Sequence, residues 1–112
     1  MCTKSQLTSI LEHVADAAKQ RLGSKLDAVV LYGSYARGDY DAESDVDIMV
    51  RIKCTPEEMA AYDDFFAKLC SRLSLDNDIT VSVVCVSSEI YERFKHALPF
   101  YASTEKEGVR VA

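Results

Sequence analysis

The stretch LYGSYARGDYDAESDVDIMV, residues 31–50, combines two features that an ordinary pair of strands does not need. One apolar run ends at Gly33-Ser34, and the next apolar run carries Asp45 and Asp47, one residue apart. Neighbouring carboxylates in a hydrophobic strand repel each other and lose solvation, and a cation between them offsets this cost. The stretch therefore predicts two strands with a polar connection, and a candidate cation site at the start of the second strand.

Gly33 and Ser34 form the first half of this candidate site. A glycine at a strand end lets the backbone approach a ligand closely. Ser34 is expected to cap a short helix through the N–H of Ala36 or Arg37, and unbonded N–H groups at a helix start bind phosphate oxygens. The alternative is an ordinary strand-to-helix turn, which a Gly-Ser pair alone does not exclude.

Asp45 and Asp47 form the second half. Strand periodicity places both side chains on one face, where a hard dication such as Mg²⁺ would balance their charge. The alternative is a solvated strand face with a cation nearby, and Arg51 could serve. Ten residues, 35–44, separate Gly-Ser from Asp-x-Asp. Together the two halves predict a site that holds a nucleoside triphosphate with its α-phosphorus beside the metal.

Arg37 lies in the first turn of the expected short helix. Its charge could bind the phosphates, or it could be a surface arginine paired with Asp39 or Asp41. The sequence leaves these two interpretations open.

The rest of the chain predicts the order α-β-β-α-β-α. An apolar stripe over residues 5–22 favours a helix that ends at Gly23, and Thr55-Pro56-Glu57-Glu58 is typical of a capping box that starts a second helix. The remaining expected elements are strands at 26–32, 45–52 and 79–86 and an edge strand within EGVRVA. Ser88 is expected to cap a short helix that runs to about His96 and is ended by Pro99.

This order predicts an α+β fold with a small mixed sheet covered by helices mainly on one face. The open face would carry Asp45 and Asp47. All 112 residues are expected to form one domain.

Composition narrows the classes of protein that remain. Hydrophobic residues make up 48% and charged residues 28%, as in soluble globular proteins. No apolar run reaches the roughly 20 residues needed to cross a bilayer, and MCTKSQLTSI lacks the apolar core of a secretory signal, so we expect a cytoplasmic protein without a membrane partner. The net charge of −5 makes nucleic acid an unlikely partner. The cysteines match no zinc pattern and are expected to be free: Cys2, Cys54, Cys70 and Cys85.

The string GSYARGDYDAESDVDIMV resembles the signature of the minimal nucleotidyltransferase domain, a branch of the DNA polymerase β superfamily. The ending LPFYASTEKEGVRVA is similar to the usual C-terminus of that branch, so the resemblance covers nearly the whole chain and implies a polymerase-β-like fold. The matching positions are Gly33, Ser34, Ala36, Arg37, Gly38, Ser44, Asp45 and Asp47.

The resemblance implies a transferase that uses MgATP to move a nucleotidyl group, here expected to be AMP, to a hydroxyl. Asp45 and Asp47 would be the catalytic metal ligands, and Gly33, Ser34 and Arg37 would bind the nucleotide. Such domains are often encoded with a HEPN-domain ribonuclease toxin and act as its antitoxin, so the expected acceptor is a hydroxyl on that partner. The alternatives are an antitoxin that acts by contact alone and a transferase for a small molecule or an RNA end. An oligomer is compatible with each of these roles.

One departure from the superfamily pattern concerns the third strand. The superfamily usually places a third carboxylate centrally on that strand, where this chain is expected to have Ser82. Asp76 and Asp78 lie near the start of the strand, too early to be the expected metal ligands. This departure weakens the expectation of full catalysis, whereas nucleotide and Mg²⁺ binding could survive it.

Overall fold

The computed structural model describes residues 3–112, which form five α-helices and four strands. Two short 3₁₀ turns, Gly23–Lys25 and Pro56–Met59, precede β1 and α3. The elements in chain order are α1 Lys4–Leu22, β1 Leu26–Tyr32, α2 Ser34–Arg37, β2 Val46–Ile52, α3 Ala60–Asn77, β3 Val81–Ser87, α4 Ser88–Phe94, α5 Pro99–Glu107 and β4 Val109–Arg110.

The four strands form one mixed sheet in the order β3-β2-β1-β4. β1 pairs antiparallel with both β2 and β4, whereas β2 pairs parallel with β3. The predicted α+β class, the mixed sheet and the edge strand near the C-terminus are therefore confirmed. This topology places the end of β1 beside the start of β2 and the start of β3.

Helices α1 and α3 cover one face of the sheet, as expected. Alternation in β2 directs every second side chain into this face, and Val46, Ile48, Val50 and Ile52 are each fully buried there. They pack in one apolar cluster with Ile10 and other residues of the two long helices. The core on this face fixes the register of β2 and so decides which way Asp47 points.

The opposite face is not open along its whole length. A second, smaller apolar cluster forms around Met49 and Tyr91, and Tyr101 of α5 packs against it. The Arg51 guanidinium lies over the Tyr91 ring, 4.3 Å from its centroid. Helices α4 and α5 thus cover part of this face. Asp47 lies at the start of β2, before Met49.

Two local predictions near the C-terminus were wrong. Pro99 does not end a helix: it begins α5, because a proline fits the first helical position and forces the preceding Leu98 into extended backbone. The N-cap of α4 is Ser87, whose hydroxyl donates to the Cys54 carbonyl oxygen at 2.7 Å. The predicted capping box at Thr55 is confirmed, since its N–H donates to the Glu58 carboxylate at 2.9 Å.

The cysteines within residues 3–112 are free, with Cys54 buried and Cys70 and Cys85 partly buried. Burial raises the pKa of the Cys85 thiol to about 12. Cys2 lies outside the described residues. Across residues 3–112, no helix is both long enough and apolar enough to span a bilayer.

Candidate functional site

Three side chains from three strands form a row across the second face of the sheet. Tyr32 of β1 is the register partner of Asp47 in β2, and Asp47 is in turn the register partner of Ser82 in β3. Register partners on neighbouring strands project from the same face. Ser82 therefore lies beside Asp47 on the face opposite the main core.

Gly33 lies directly against Asp47. A β-carbon built on Gly33 would come within 2.5 Å of Asp47 Oδ2, and the Gly33 backbone has φ +76° and ψ −157°. That conformation is essentially restricted to glycine. Gly33 is thus required for two reasons, and it brings the start of α2 and the Asp47 carboxylate to one place.

Ser34 does not cap α2, so this prediction was wrong. The carbonyl oxygen of Gly33 accepts from the N–H groups of Ala36 and Arg37, each at 3.1 Å, and Gly33 itself is the N-cap. Those two N–H groups are already bonded and are unavailable to a phosphate. What this turn offers a ligand is the close backbone approach at Gly33 and the partly buried Ser34 side chain.

Asp47 is partly buried and Asp45 is exposed. Burial, and then the negative charge of Asp45, raises the pKa of Asp47, while Arg37 acts in the opposite direction. Within residues 3–112, neither carboxylate takes part in a hydrogen bond or a salt bridge. The alternative that Arg51 pairs with them was wrong, because Arg51 Nε lies 3.6 Å from Asp27 Oδ2.

Arg37 forms two ion pairs at the edge of this site. Its Nε lies 3.1 Å from Asp39 Oδ2, and its Nη1 lies 3.4 Å from Glu107 Oε2 in α5. The pairing with Asp39 was one of two predicted, whereas Asp41 instead accepts a hydrogen bond from the Glu43 N–H. Arg37 is still close enough to Asp47 to lower its pKa.

The carboxylates of this site suit a Mg²⁺ ion that takes few ligands from the protein. Among residues 3–112, no group of three or more His, Cys, Asp or Glu side chains is arranged to hold a metal ion. Mg²⁺ commonly takes only one or two protein carboxylates and completes its shell with substrate phosphates and water. The two unpaired carboxylates, with the glycine turn against Asp47, fit that donor set.

A polar cleft of about 210 Å³ lies on the Asp45 side of the site. Asp78 lines it together with Asp45 and Thr80, whereas Asp76 is an exposed residue of α3. Asp78 ends α3 in the left-handed conformation, φ +50° and ψ +43°, and its N–H donates to the Ser74 carbonyl oxygen. Register therefore favours Ser82 over Asp78 as the neighbour of Asp47.

Sequence reasoning missed Tyr32 and Glu107. Tyr32 was predictable in principle. It directly precedes Gly33 at the end of a predicted strand, and its partner on the neighbouring strand, Asp47, must share its face. Glu107 carried no signal, since it is far from Arg37 in sequence and meets it only through the packing of α5.

The sequence matches a known protein family over most of its length. The model of the family described as "Nucleotidyltransferase domain" matches residues 11–111, which include every candidate site residue. Two relatives from Methanocaldococcus jannaschii carry the name "Putative protein adenylyltransferase". One is 44% identical over 73 residues, covering 65% of this chain and 72% of the relative. The other is 28% identical over 99 residues, covering 88% and 90%.

Solved structures share the fold. A chain from a crystal structure of a toxin–antitoxin with AMP-PNP superimposes with a TM-score of 0.59 at 19% identity, covering 91% of this chain and 72% of that chain. A chain from the complex of a tri-AMPylated Shewanella oneidensis HEPN toxin with an MNT antitoxin gives a TM-score of 0.56 at 18% identity, covering 95% and 71%.

Proposed function

This chain belongs to the nucleotidyltransferase domain family, and from that premise we propose that it transfers AMP from ATP to a hydroxyl on a partner protein. In this reaction the hydroxyl loses its proton to solvent and its oxygen bonds to the α-phosphorus. The bond from that phosphorus to the bridging oxygen of the β-phosphate breaks, and pyrophosphate leaves. The relatives named as protein adenylyltransferases support a protein as the acceptor.

Each candidate residue has a role in this proposal. Asp45 and Asp47 hold the metal, Gly33 lets the triphosphate approach the backbone, and Ser34 and Arg37 bind phosphate oxygens. Mg²⁺ bound there would neutralise phosphate charge and make the α-phosphorus a better electrophile. The protein residues contribute chiefly by placing the α-phosphorus at the start of β2.

The contact between Gly33 and Asp47 is the observation that carries the proposal. A phosphate-binding turn and a metal-binding carboxylate must lie within a few ångströms of each other if one triphosphate is to meet both. A β-carbon built on Gly33 would lie only 2.5 Å from Asp47 Oδ2, so the turn and the carboxylate are this close together. An ordinary strand-to-helix turn does not need it.

We further propose that the partner is a HEPN-domain toxin and that this chain is its antitoxin. A net charge of −5 disfavours a nucleic-acid acceptor. Structures of similar fold include an MNT antitoxin in complex with an AMPylated HEPN toxin. An AMP group added to a tyrosine or serine near the catalytic residues of such a toxin would repel and obstruct its RNA substrate.

A second candidate function is inhibition of the same partner by contact alone, and Ser82 favours it. Beside Asp47, where a carboxylate would accept the proton of the attacking hydroxyl, this chain has a hydroxyl instead. The two candidates differ in whether the partner is covalently changed.

The distinguishing experiment is to incubate the chain with its HEPN partner and MgATP and to weigh the intact partner. We expect a gain of one or more AMP units that is absent without Mg²⁺ and absent with Asp47→Asn. Inhibition of the partner without any mass gain would contradict transfer and support the contact-only role.

A further inference from the structure

Glu107 of α5 contacts Arg37 at the edge of the nucleotide site. No local sequence pattern predicts that α5 lies there. Its Oε2 lies 3.4 Å from Arg37 Nη1, and the same oxygen accepts a hydrogen bond from the Ser103 hydroxyl at 3.5 Å. Side-chain exposure is 42% for Arg37 and 36% for Glu107, so this ion pair lies at the surface but is not fully solvated. Glu107 is therefore held within α5 while it faces Arg37.

The backbone behind Glu107 is fixed to the strand that leads into the site. Gly108 donates to the Thr104 carbonyl oxygen at 2.9 Å, and a β-carbon at Gly108 would clash with that oxygen and with Val30 of β1. Directly afterwards, β4 pairs with β1. Both members of the ion pair are thus anchored to β1, Arg37 through the turn that follows this strand and Glu107 through β4.

Asp39 and Glu107 leave part of the Arg37 guanidinium unused. A guanidinium has five N–H donors. One N–H, at Nε, bonds to Asp39 and one, at Nη1, bonds to Glu107, so three remain, both on Nη2 and one on Nη1. These three can face phosphate oxygens without breaking either ion pair.

We propose that Glu107 is a positioning residue that holds Arg37 ready for the triphosphate. This inference rests on the proposed function. Without Glu107 the long arginine side chain keeps its Asp39 contact but regains freedom at its outer end, and binding a phosphate must then restrict it again. Helix α5 is in this way linked to the nucleotide site through the Glu107–Arg37 ion pair.

The test is a double-mutant cycle on MgATP affinity, measured by calorimetry with wild type, Glu107→Ala, Arg37→Ala and the double variant. We expect Glu107→Ala to weaken binding about two- to fivefold, the size typical of a surface ion pair. It should weaken binding no further once Arg37 is absent. Glu107→Gln retains an acceptor oxygen and should fall between Glu107→Ala and wild type. Glu92→Ala is the matched control, because it removes a glutamate from another surface pair, with Lys95.

Unchanged or tighter binding in Glu107→Ala would overturn this inference, as would an equal loss in the presence and absence of Arg37. Asp47→Asn distinguishes failure of the proposed function from failure of the proposed role of Glu107. If Asp47→Asn abolishes MgATP binding while Glu107→Ala has no effect, the proposed function stands and only the role of Glu107 fails. If wild type does not bind MgATP, or Asp47→Asn binds it as well as wild type, both fail.

Discussion

The Asp47 carboxylate lies so close to Gly33 that any side chain at position 33 would displace it, since a β-carbon there would lie 2.5 Å from Oδ2. Gly33 directly follows β1, and Asp47 is the second residue of β2, on the face opposite the main core. Their contact joins the two halves of the candidate site.

Gly33→Ala should lower the free energy of unfolding by about 3 kcal/mol, because the substitution adds backbone strain and a clash with Asp47. Urea denaturation measures this directly. Gly38→Ala is the matched control: Gly38 also has a positive φ, +85°, but its β-carbon would meet nothing within 4 Å. The control should lose only about 1 kcal/mol, from left-handed strain alone. Equal losses in the two variants would refute the contact.

Asp47→Asn should stabilise the nucleotide-free protein slightly while it abolishes Mg²⁺-dependent ATP binding. Burial and Asp45 raise the pKa of Asp47, so the ionised carboxylate costs folding free energy when no cation is bound. We expect a gain of about 0.5 kcal/mol by urea denaturation. A variant that is less stable than wild type at neutral pH would contradict this electrostatic explanation.

The raised pKa of Asp47 also predicts how the stability of the protein changes with pH. The Asp47 contribution to stability is most favourable at acidic pH, where the carboxyl is protonated, and is lost as pH rises through its raised pKa in the folded state. The stability gap between wild type and Asp47→Asn should therefore close on acidification. Mg²⁺ affinity should fall over the same acidic range, and should begin to fall at a higher pH than for an unperturbed aspartate. A gap that is constant with pH would show that ionisation of Asp47 is irrelevant.

Ser82→Asp should place a third carboxylate beside Asp47, because the two positions are register partners on parallel strands. We expect tighter Mg²⁺ binding and faster AMP transfer, together with lower stability when no metal is present. Ser82→Asn serves as the control, because asparagine has a volume similar to that of aspartate but carries no negative charge. If Ser82→Asp transfers AMP no faster than Ser82→Asn, position 82 is not where the superfamily's third carboxylate acts.

Asp78→Gly should raise the free energy of unfolding by about 0.5–1 kcal/mol, since glycine suits the left-handed residue at the end of α3. AMP transfer should be unaffected, because Asp78 lies outside the row formed by Tyr32, Asp47 and Ser82. Thermal denaturation and a transfer assay check the two parts separately. Loss of transfer in this variant would identify Asp78 as a functional carboxylate after all.

The sequence predicts most of the fold because local patterns and tertiary packing agree over most of its length. The strand over 26–32 was placed with its observed bounds, and the alternation after Asp45 assigned each side chain of β2 to its observed face. The prediction for Pro99 was wrong because a proline is compatible with both the end of one helix and the start of the next.

The parts of the candidate site that were predictable are those that leave a pattern in a short stretch of sequence. Gly33 at a strand end and Asp47 in the next apolar strand are such a pattern, and the structure brings the two residues together. The cap at Ser34 was wrong because hydroxyl and backbone acceptors compete, and the Gly33 carbonyl oxygen takes both N–H groups. Glu107 depends on how α5 docks, which no local pattern encodes.

Transfer of radiolabel from ATP to the proposed HEPN partner is the most direct test of the central claim, that this site moves a nucleotidyl group. ATP labelled at the α-phosphorus should label the partner in the presence of Mg²⁺ and release unlabelled pyrophosphate. ATP labelled at the γ-phosphorus should leave the partner unlabelled, and Asp47→Asn should give no label from either nucleotide. Label from the γ-phosphorus would identify a different reaction, and an inhibited but unlabelled partner in both cases would contradict nucleotidyl transfer by this chain.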